Sequence, residues 1–180
     1  HARAHAFAAE VRRLLDDYDG AVAAIDRAIA LADDPQHRIK KAWLLSRMLR
    51  RDEIPALAEE AAQLGHGDGR VHWQVAKLYA HHNRLDDAIR HYLAALKAVG
   101  ENPSWRYDLA IAYFYSGDAD RAEEELDRVL HASPQAGAVL YLRSTLRRQT
   151  IERNHVADLE RRLRGGLRNA EDESGALYAL

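Results

Sequence analysis

One pattern is written twice in this chain: Leu85-Asp86-Asp87-Ala88-Ile89 with Tyr92, Ala95 and Leu96, then Ala119-Asp120-Arg121-Ala122-Glu123 with Leu126, Val129 and Leu130. Ala88 and Ala122 hold the same place in the two copies and lie 34 residues apart. Each copy follows a segment of small and aromatic residues and precedes a proline, Pro103 or Pro134. A repeat of this length, with apolar residues at helical spacing, predicts an array of helical hairpins.

Three weaker copies extend the array, and they are centred on Ala21, Ala56 and Val156. Small residues such as Ala76 and Ala88 let the bulky side chains of an antiparallel helix seat in the groove between helices. The sequence therefore predicts an all-α superhelix of about five helical hairpins over residues 1–180.

A period of 34 residues with this anatomy is typical of tetratricopeptide repeats, and the chain resembles that family. The resemblance implies that the first helix of each hairpin lines a concave groove. Counting along those helices predicts these groove residues: Lys41, Arg70, Trp73, Lys77, His81, Tyr107, Ile111, Tyr115, Tyr141 and Arg148. Aromatic rings flanked by cations suit an extended or helical peptide of a partner protein. For Trp73 and Tyr107, packing against neighbouring repeats is an equally open interpretation.

Composition excludes several classes of function. The chain has 180 residues, of which 47% are hydrophobic and 30% charged, and it has no cysteine. Disulfides, thiolate metal sites and cysteine nucleophiles are therefore absent, and a reducing, cytoplasmic location is expected. No apolar run approaches the length that spans a bilayer, so no membrane partner is predicted.

Neither a cofactor nor a metal is predicted. The glycine-containing segments at 65–69 and 165–166 do not follow an apolar β-branched strand, so neither fits a phosphate-binding loop. Four histidines lie close together in sequence: His72, His81, His82 and His91. No two of them have the i, i+4 spacing of a helical metal site. We therefore predict that this chain is not itself an enzyme.

The charge of the C-terminal third is unbalanced. The whole chain has a formal net charge of −2, yet residues 143–168 carry eight arginines against three acids. Such a block could attract an acidic partner or an acidic face of a neighbouring domain, through Arg147, Arg148, Arg161 and Arg164. The alternative is a solvated helix face. Nucleic acid is not predicted, because no aromatic residues are interleaved with the block and the rest of the chain would repel phosphates.

The most specific local text is Leu142-Arg143-Ser144-Thr145-Leu146-Arg147-Arg148-Gln149-Thr150, with Asn154-His155 and the closing Leu177-Tyr178-Ala179-Leu180. This segment resembles the end of the repeat portion of bacterial proteins in which tetratricopeptide repeats precede a sulfotransferase domain. The resemblance implies a full-length protein that transfers a sulfuryl group from 3′-phosphoadenosine 5′-phosphosulfate. The repeats would then recruit an acceptor or pack on the downstream catalytic domain, which is absent here.

Two functional interpretations follow. The preferred one is a non-catalytic interaction scaffold that forms the repeat portion of a bacterial sulfotransferase. The alternative is a peptide-binding scaffold of an unrelated bacterial assembly or secretion system. The residues do not identify the peptide, the acceptor, the oligomeric state or any upstream signal peptide.

Both ends of the chain are expected to be truncated, since it begins at His1 and stops within an amphipathic segment that ends at Leu180. A first helix that includes Leu177 and Leu180 would lack its second helix. Because a helical array needs a terminal helix to cover its last apolar face, residues 171–180 are expected to fray or to dock on another molecule.

Overall fold

A computed structural model describes residues 1–180, and every regular element in it is helical. The α-helices are α1 Ala2–Leu14, α2 Tyr18–Leu31, α3 Pro35–Arg47, α4 Ile54–Leu64, α5 Gly69–His81, α6 Leu85–Val99, α7 Pro103–Ser116, α8 Ala119–Ala132, α9 Gly137–Thr145, α10 Val156–Gly165 and α11 Ala170–Ala179. A short 3₁₀ turn, Arg51–Glu53, lies between α3 and α4. The predicted all-α class is confirmed.

The first helices follow the repeat period closely, because α3, α5, α7 and α9 begin at residues 35, 69, 103 and 137. Asp34, Asp68 and Asn102 precede three of these starts, and each side chain accepts a hydrogen bond from a backbone N–H of the first turn. Such caps satisfy donors that have no partner within the helix. Pro55 occupies the first turn of α4, as the sequence predicts, where its missing N–H is harmless.

The helices form two compact units, His1–Val99 and Gly100–Leu180, here called unit 1 and unit 2. Unit 1 contains three hairpins, α1 with α2, α3 with α4 and α5 with α6, and α3 and α4 both pack on α5. Ala76 of α5 and Ala88 of α6 are fully buried. Their small side chains therefore have the predicted role at the helix contact.

Unit 2 contains two further hairpins, α7 with α8 and α9 with α11. Ala110 and Ala122 are fully buried between α7 and α8. The expectation that the last helix lacks a partner is wrong, because α11 is the partner of α9. The second helix of this hairpin therefore begins at Ala170, and α10 is an insertion near Val156, where the period had placed that second helix.

Two glycines explain why α11 rather than α10 packs on α9. Gly137 and Gly175 lie where the two backbones meet, since a Cβ added to Gly175 would lie 2.6 Å from the carbonyl carbon of Gly137. The Gly137 N–H also donates a 2.9 Å hydrogen bond to Asp172 Oδ1. Asp172 thereby supplies from α11 the cap that the residue preceding α9 does not provide.

None of the eleven helices combines the length and the apolar character that a membrane-spanning helix needs.

Candidate functional site

The open face of unit 1 is formed by the first helices of its hairpins, α1, α3 and α5. Trp43 and Lys77 are related by one step of the 34-residue repeat, and so are Arg47 and His81. We call this face the unit 1 groove and define it by Ala6, Ala9, Arg13, Lys40, Trp43, Arg47, Lys77 and His81. Repeat-related positions come together here because each hairpin stacks on the previous one in the same orientation.

A pocket of about 290 Å³ lies between α1 and α3. We call it the α1/α3 pocket, and its lining residues are Ala6, Ala9, Glu10, Arg13, Lys40, Trp43, Leu44 and Arg47. Ala6 and Ala9 are almost fully buried and leave space beside the Trp43 ring, which is half-buried. The pocket thus offers an apolar floor and wall with charged groups at its edge.

A second pocket, of about 450 Å³, lies at the ends of α3 and α5. We call it the α3/α5 pocket, and its lining residues are Tyr18, Ser46, Arg47, Leu49, Arg51, His81, His82 and Asn83. The two pockets share Arg47. Ring contact also joins α3 to α5, because the centroids of Trp43 and His81 lie 5.2 Å apart.

Cations dominate the unit 1 groove. The one acid in the α1/α3 pocket, Glu10, accepts two hydrogen bonds from Arg13, and the first of these interactions lowers the pKa of Glu10. Lys40, Arg47 and Lys77 have no carboxylate within ion-pair distance. Lys77 instead places its Nζ 4.9 Å from the centroid of the Trp73 ring, a cation–π contact.

Several predicted groove residues of unit 1 lie where the sequence suggests. Trp73, Lys77 and His81 follow one another along α5, with Trp73 half-buried and the other two exposed, and Arg70 is exposed in the first turn. Lys41 is an exception. Its Nζ lies 2.7 Å from Asp26 on α2, and Leu45, one turn further on, is fully buried in the core.

The residues missed on α3 are Lys40, Trp43 and Arg47. A signal for them was present, because one repeat step back from Lys77 and His81 leads to Trp43 and Arg47 and not to Lys41. Counting from the core of each helix separately loses this register, whereas stepping by the period keeps it.

In unit 2, the predicted residues Tyr107, Ile111 and Tyr115 lie along α7, with Tyr107 and Ile111 half-buried and Tyr115 exposed. Tyr107 lines a pocket of about 390 Å³ formed by α7, the end of α8 and the start of α9. Burial raises the pKa of its hydroxyl. Tyr141 and Arg148, on and after α9, are exposed and do not line this pocket.

The arginines of the basic block are largely paired within unit 2. Arg147 forms ion pairs with Asp120 and Glu123 of α8. Arg161 pairs with Asp158 on its own helix, and Arg164 Nη1 lies 3.6 Å from Glu160. The acids of α8 and α10 therefore offset much of the charge that the sequence suggested for an acidic partner, while Arg148 has no carboxylate partner.

A cluster of polar side chains inside unit 1 was not predicted. The Nδ1 atoms of His72 and His91 lie 3.1 Å apart, so one ring donates and the other accepts, and at least one ring is neutral. On its far side His91 Nε2 lies 3.2 Å from Glu59 Oε1, which also accepts 2.7 Å hydrogen bonds from Tyr79 and Arg90. The described residues bring no group of three potential metal ligands together.

We expect unit 1 to lose stability as pH falls below about 6.5, the ordinary pKa of histidine. Burial lowers the pKa of both His72 and His91, so the unfolded chain binds more protons in this range and acidification favours unfolding. Below about 4.5 a further loss is expected. Burial alone would raise the pKa of Glu59, but hydrogen bonds from Arg90, Tyr79 and His91 outweigh it and lower that pKa to about 2.

The measurement is the free energy of urea unfolding as a function of pH. The variant His72→Gln should flatten the decline between neutral pH and about pH 5, because one of the two coupled rings is gone. His66→Gln, which changes an exposed histidine, is the matched control and should keep the wild-type slope. Equal slopes for the wild type and both variants would contradict the assignment.

Comparisons with known proteins agree with this architecture. Residues 79–146 match the family model described as tetratricopeptide repeat. The crystal structure of MamA protein has a TM-score of 0.69 and 13% identity, covering 99% of this chain and 91% of that chain. YrrB, described as a TPR protein with an unusual peptide-binding site, has a TM-score of 0.63 and 18% identity, covering 78% and 73%. Pseudomonas aeruginosa pilF has a TM-score of 0.67 and 14% identity, covering 99% and 88%.

A sequence search of curated proteins gives no match. The matched segment and the shared fold identify the chain as an array of tetratricopeptide repeats, a class of protein-interaction scaffold.

Proposed function

We propose that the chain is a non-catalytic scaffold whose unit 1 groove binds an extended or helical segment of a partner protein. One observation carries this proposal: repeat-related residues place the half-buried Trp43 ring beside a pocket, with unpaired cations around it. Large rings with a buried base and an accessible edge supply much of the binding energy at protein interfaces. YrrB is described as having a peptide-binding site, which is consistent with the same use of the fold here.

The open face of α7, with Tyr107, Ile111 and Tyr115, offers a second stretch for the same kind of ligand in unit 2. Tyr141 and Arg148 extend that proposal to α9 and the segment after it. Each face is proposed as a binding surface in its own unit.

A second candidate is the repeat portion of a bacterial sulfotransferase, which would recruit an acceptor or contact a downstream catalytic domain. The local resemblance of residues 142–159 and 177–180 favours it. None of the structural relatives described above is described as a sulfotransferase. In this arrangement Arg147, Arg161 and Arg164 would have to exchange their partners on α8 and α10 for groups of the partner domain.

The proposal predicts that Trp43→Ala weakens peptide binding on the order of tenfold or more, the range found when a central aromatic anchor is truncated. The probe is a phage-displayed library of degenerate dodecamer peptides, selected on the wild-type chain. Selected peptides are then synthesised, and their dissociation constants for the wild type and the variant are measured by calorimetry.

Tyr178→Ala is the matched control, because Tyr178 is an exposed aromatic residue of α11 that lies outside both proposed faces. Circular dichroism verifies that each variant is folded. Selected peptides that bind the wild type and Trp43→Ala equally well would contradict the proposed role of the unit 1 groove.

A further inference from the structure

We infer that the unit 1 groove recognises an acidic peptide segment, in which an apolar side chain enters the α1/α3 pocket and a nearby Asp or Glu carboxylate enters the α3/α5 pocket. This inference rests on the proposed function and adds the chemistry of the ligand to it.

The connection between the two pockets is the first argument. Arg47 lines both of them, and His81 of the α3/α5 pocket is in ring contact with Trp43 of the α1/α3 pocket. One continuous ligand can therefore reach both, with no intervening wall to cross. The apolar residues Ala6, Ala9 and Leu44 are confined to the first pocket, so the two pockets differ in character.

Donors line the α3/α5 pocket. It contains two guanidinium groups, Arg47 and Arg51, together with His81, His82 and Asn83, and no carboxylate is among its lining residues. The nearest acid to be accounted for is Asp16, which accepts a 3.2 Å hydrogen bond from the Tyr18 hydroxyl. Arg47 and Arg51 have no ion-pair partner in the chain. An anion is the ligand that such a set of donors binds best.

An unsatisfied atom points to the same chemistry. His82 Nε2 is buried and has no hydrogen-bond partner. Buried polar atoms are nearly always paired, so an orphan in a pocket marks a place for an outside group. A carboxylate oxygen of a ligand would accept from this nitrogen when it carries a proton.

The spacing of the pockets also specifies a sequence pattern. Trp43 and Arg47 are four residues apart on a helix, a rise of about 6 Å. In an extended peptide, residues i and i+2 point to the same side and lie roughly 7 Å apart. The pattern expected in the ligand is therefore an apolar residue, any residue, then an acid.

The experiment uses the full chain and a matched set of three synthetic dodecamers that share one apolar residue. The position two residues after it is Glu, Gln or Lys, and binding is followed by fluorescence anisotropy. The Glu peptide should bind on the order of tenfold more tightly than the Gln peptide, with the Lys peptide weakest, and raising NaCl from about 0.1 M to about 0.5 M should reduce the difference.

Arg47→Gln and Arg51→Gln should each reduce the preference for Glu over Gln while the Gln peptide keeps its affinity. Arg27→Gln is the control, because Arg27 is an exposed arginine of the second helix α2 and lies outside both pockets. It should leave the preference unchanged.

The two proposals fail in different ways. If the three peptides bind equally and their binding still depends on Trp43, the inference about acidic ligands is overturned and the groove remains a peptide site. If no displayed peptide binds in a manner that depends on Trp43, the proposed function itself fails.

Discussion

Replacing Gly137 by alanine should separate α11 from α9 and destabilise unit 2 by about 3 kcal/mol, the upper part of the range for overpacking a close contact. A Cβ at this position would lie 2.2 Å from the Asp172 carbonyl oxygen and 2.4 Å from the Asp172 Cα. These are backbone atoms, so no side-chain rotation can relieve the clash. Moving α11 away would also break the hydrogen bond from the Gly137 N–H to Asp172.

Hydrogen exchange and urea unfolding test this prediction. The amides of α9 and α11 should lose protection in Gly137→Ala, while those of α3, α4 and α5 keep theirs. Gly165→Ala is the matched control, because a Cβ at Gly165 meets nothing within 4 Å. If Gly137→Ala retains wild-type protection in α11, the close approach of the two helices is incorrect.

Replacing Arg143 by methionine should release α10 and destabilise unit 2 by about 2 kcal/mol, because a buried guanidinium that satisfies two carboxylates is lost. The Arg143 side chain is 7% exposed, and it holds Asp127 of α8 at 2.7 Å and Asp158 of α10 at 2.6 Å. Asp127 is half-exposed and can rehydrate, which keeps the effect below that of breaking a fully buried pair. Methionine preserves much of the aliphatic packing.

The readouts are the amide protection of α10 and the carboxyl titration of Asp158. Burial alone would raise the pKa of Asp158, but Arg162 and Arg143 outweigh it and lower that pKa to about 2. The variant should bring the pKa of Asp158 back towards its ordinary value. Arg161→Met removes a different and mostly exposed partner of the same carboxylate, so it should change stability by less than about 1 kcal/mol. Equal effects of the two variants would refute a special role for Arg143.

The first four hairpins could be predicted from sequence because their information is local and repeated. Ala88 and Ala122 recur at the period, Asp34 and Asp68 cap helices, and Pro55 opens one. Each of these signals acts within a few residues of its position. The period also contained the register of the groove, since a step from Lys77 leads to Trp43, although counting along α3 alone led to Lys41.

The fifth hairpin shows where such signals end. The period pointed to Val156, but the sequence between α9 and its partner holds an inserted helix. The choice between α10 and α11 depends on the approach of Gly137 to Gly175, a contact between residues far apart in the chain. Glycine has no side chain with which to announce a packing surface, so its role becomes visible only when the second backbone is in place.

The sequence by itself determined the helical repeat, its period and the ends of most helices, because propensity, capping and apolar spacing act along the chain. The tertiary structure alone decided which charges are free. It paired Lys41 with Asp26, enclosed Arg143 between two acids and left Arg47 without a partner between two pockets. Ion pairing depends on distances of a few ångströms between different helices, and no local pattern encodes those distances.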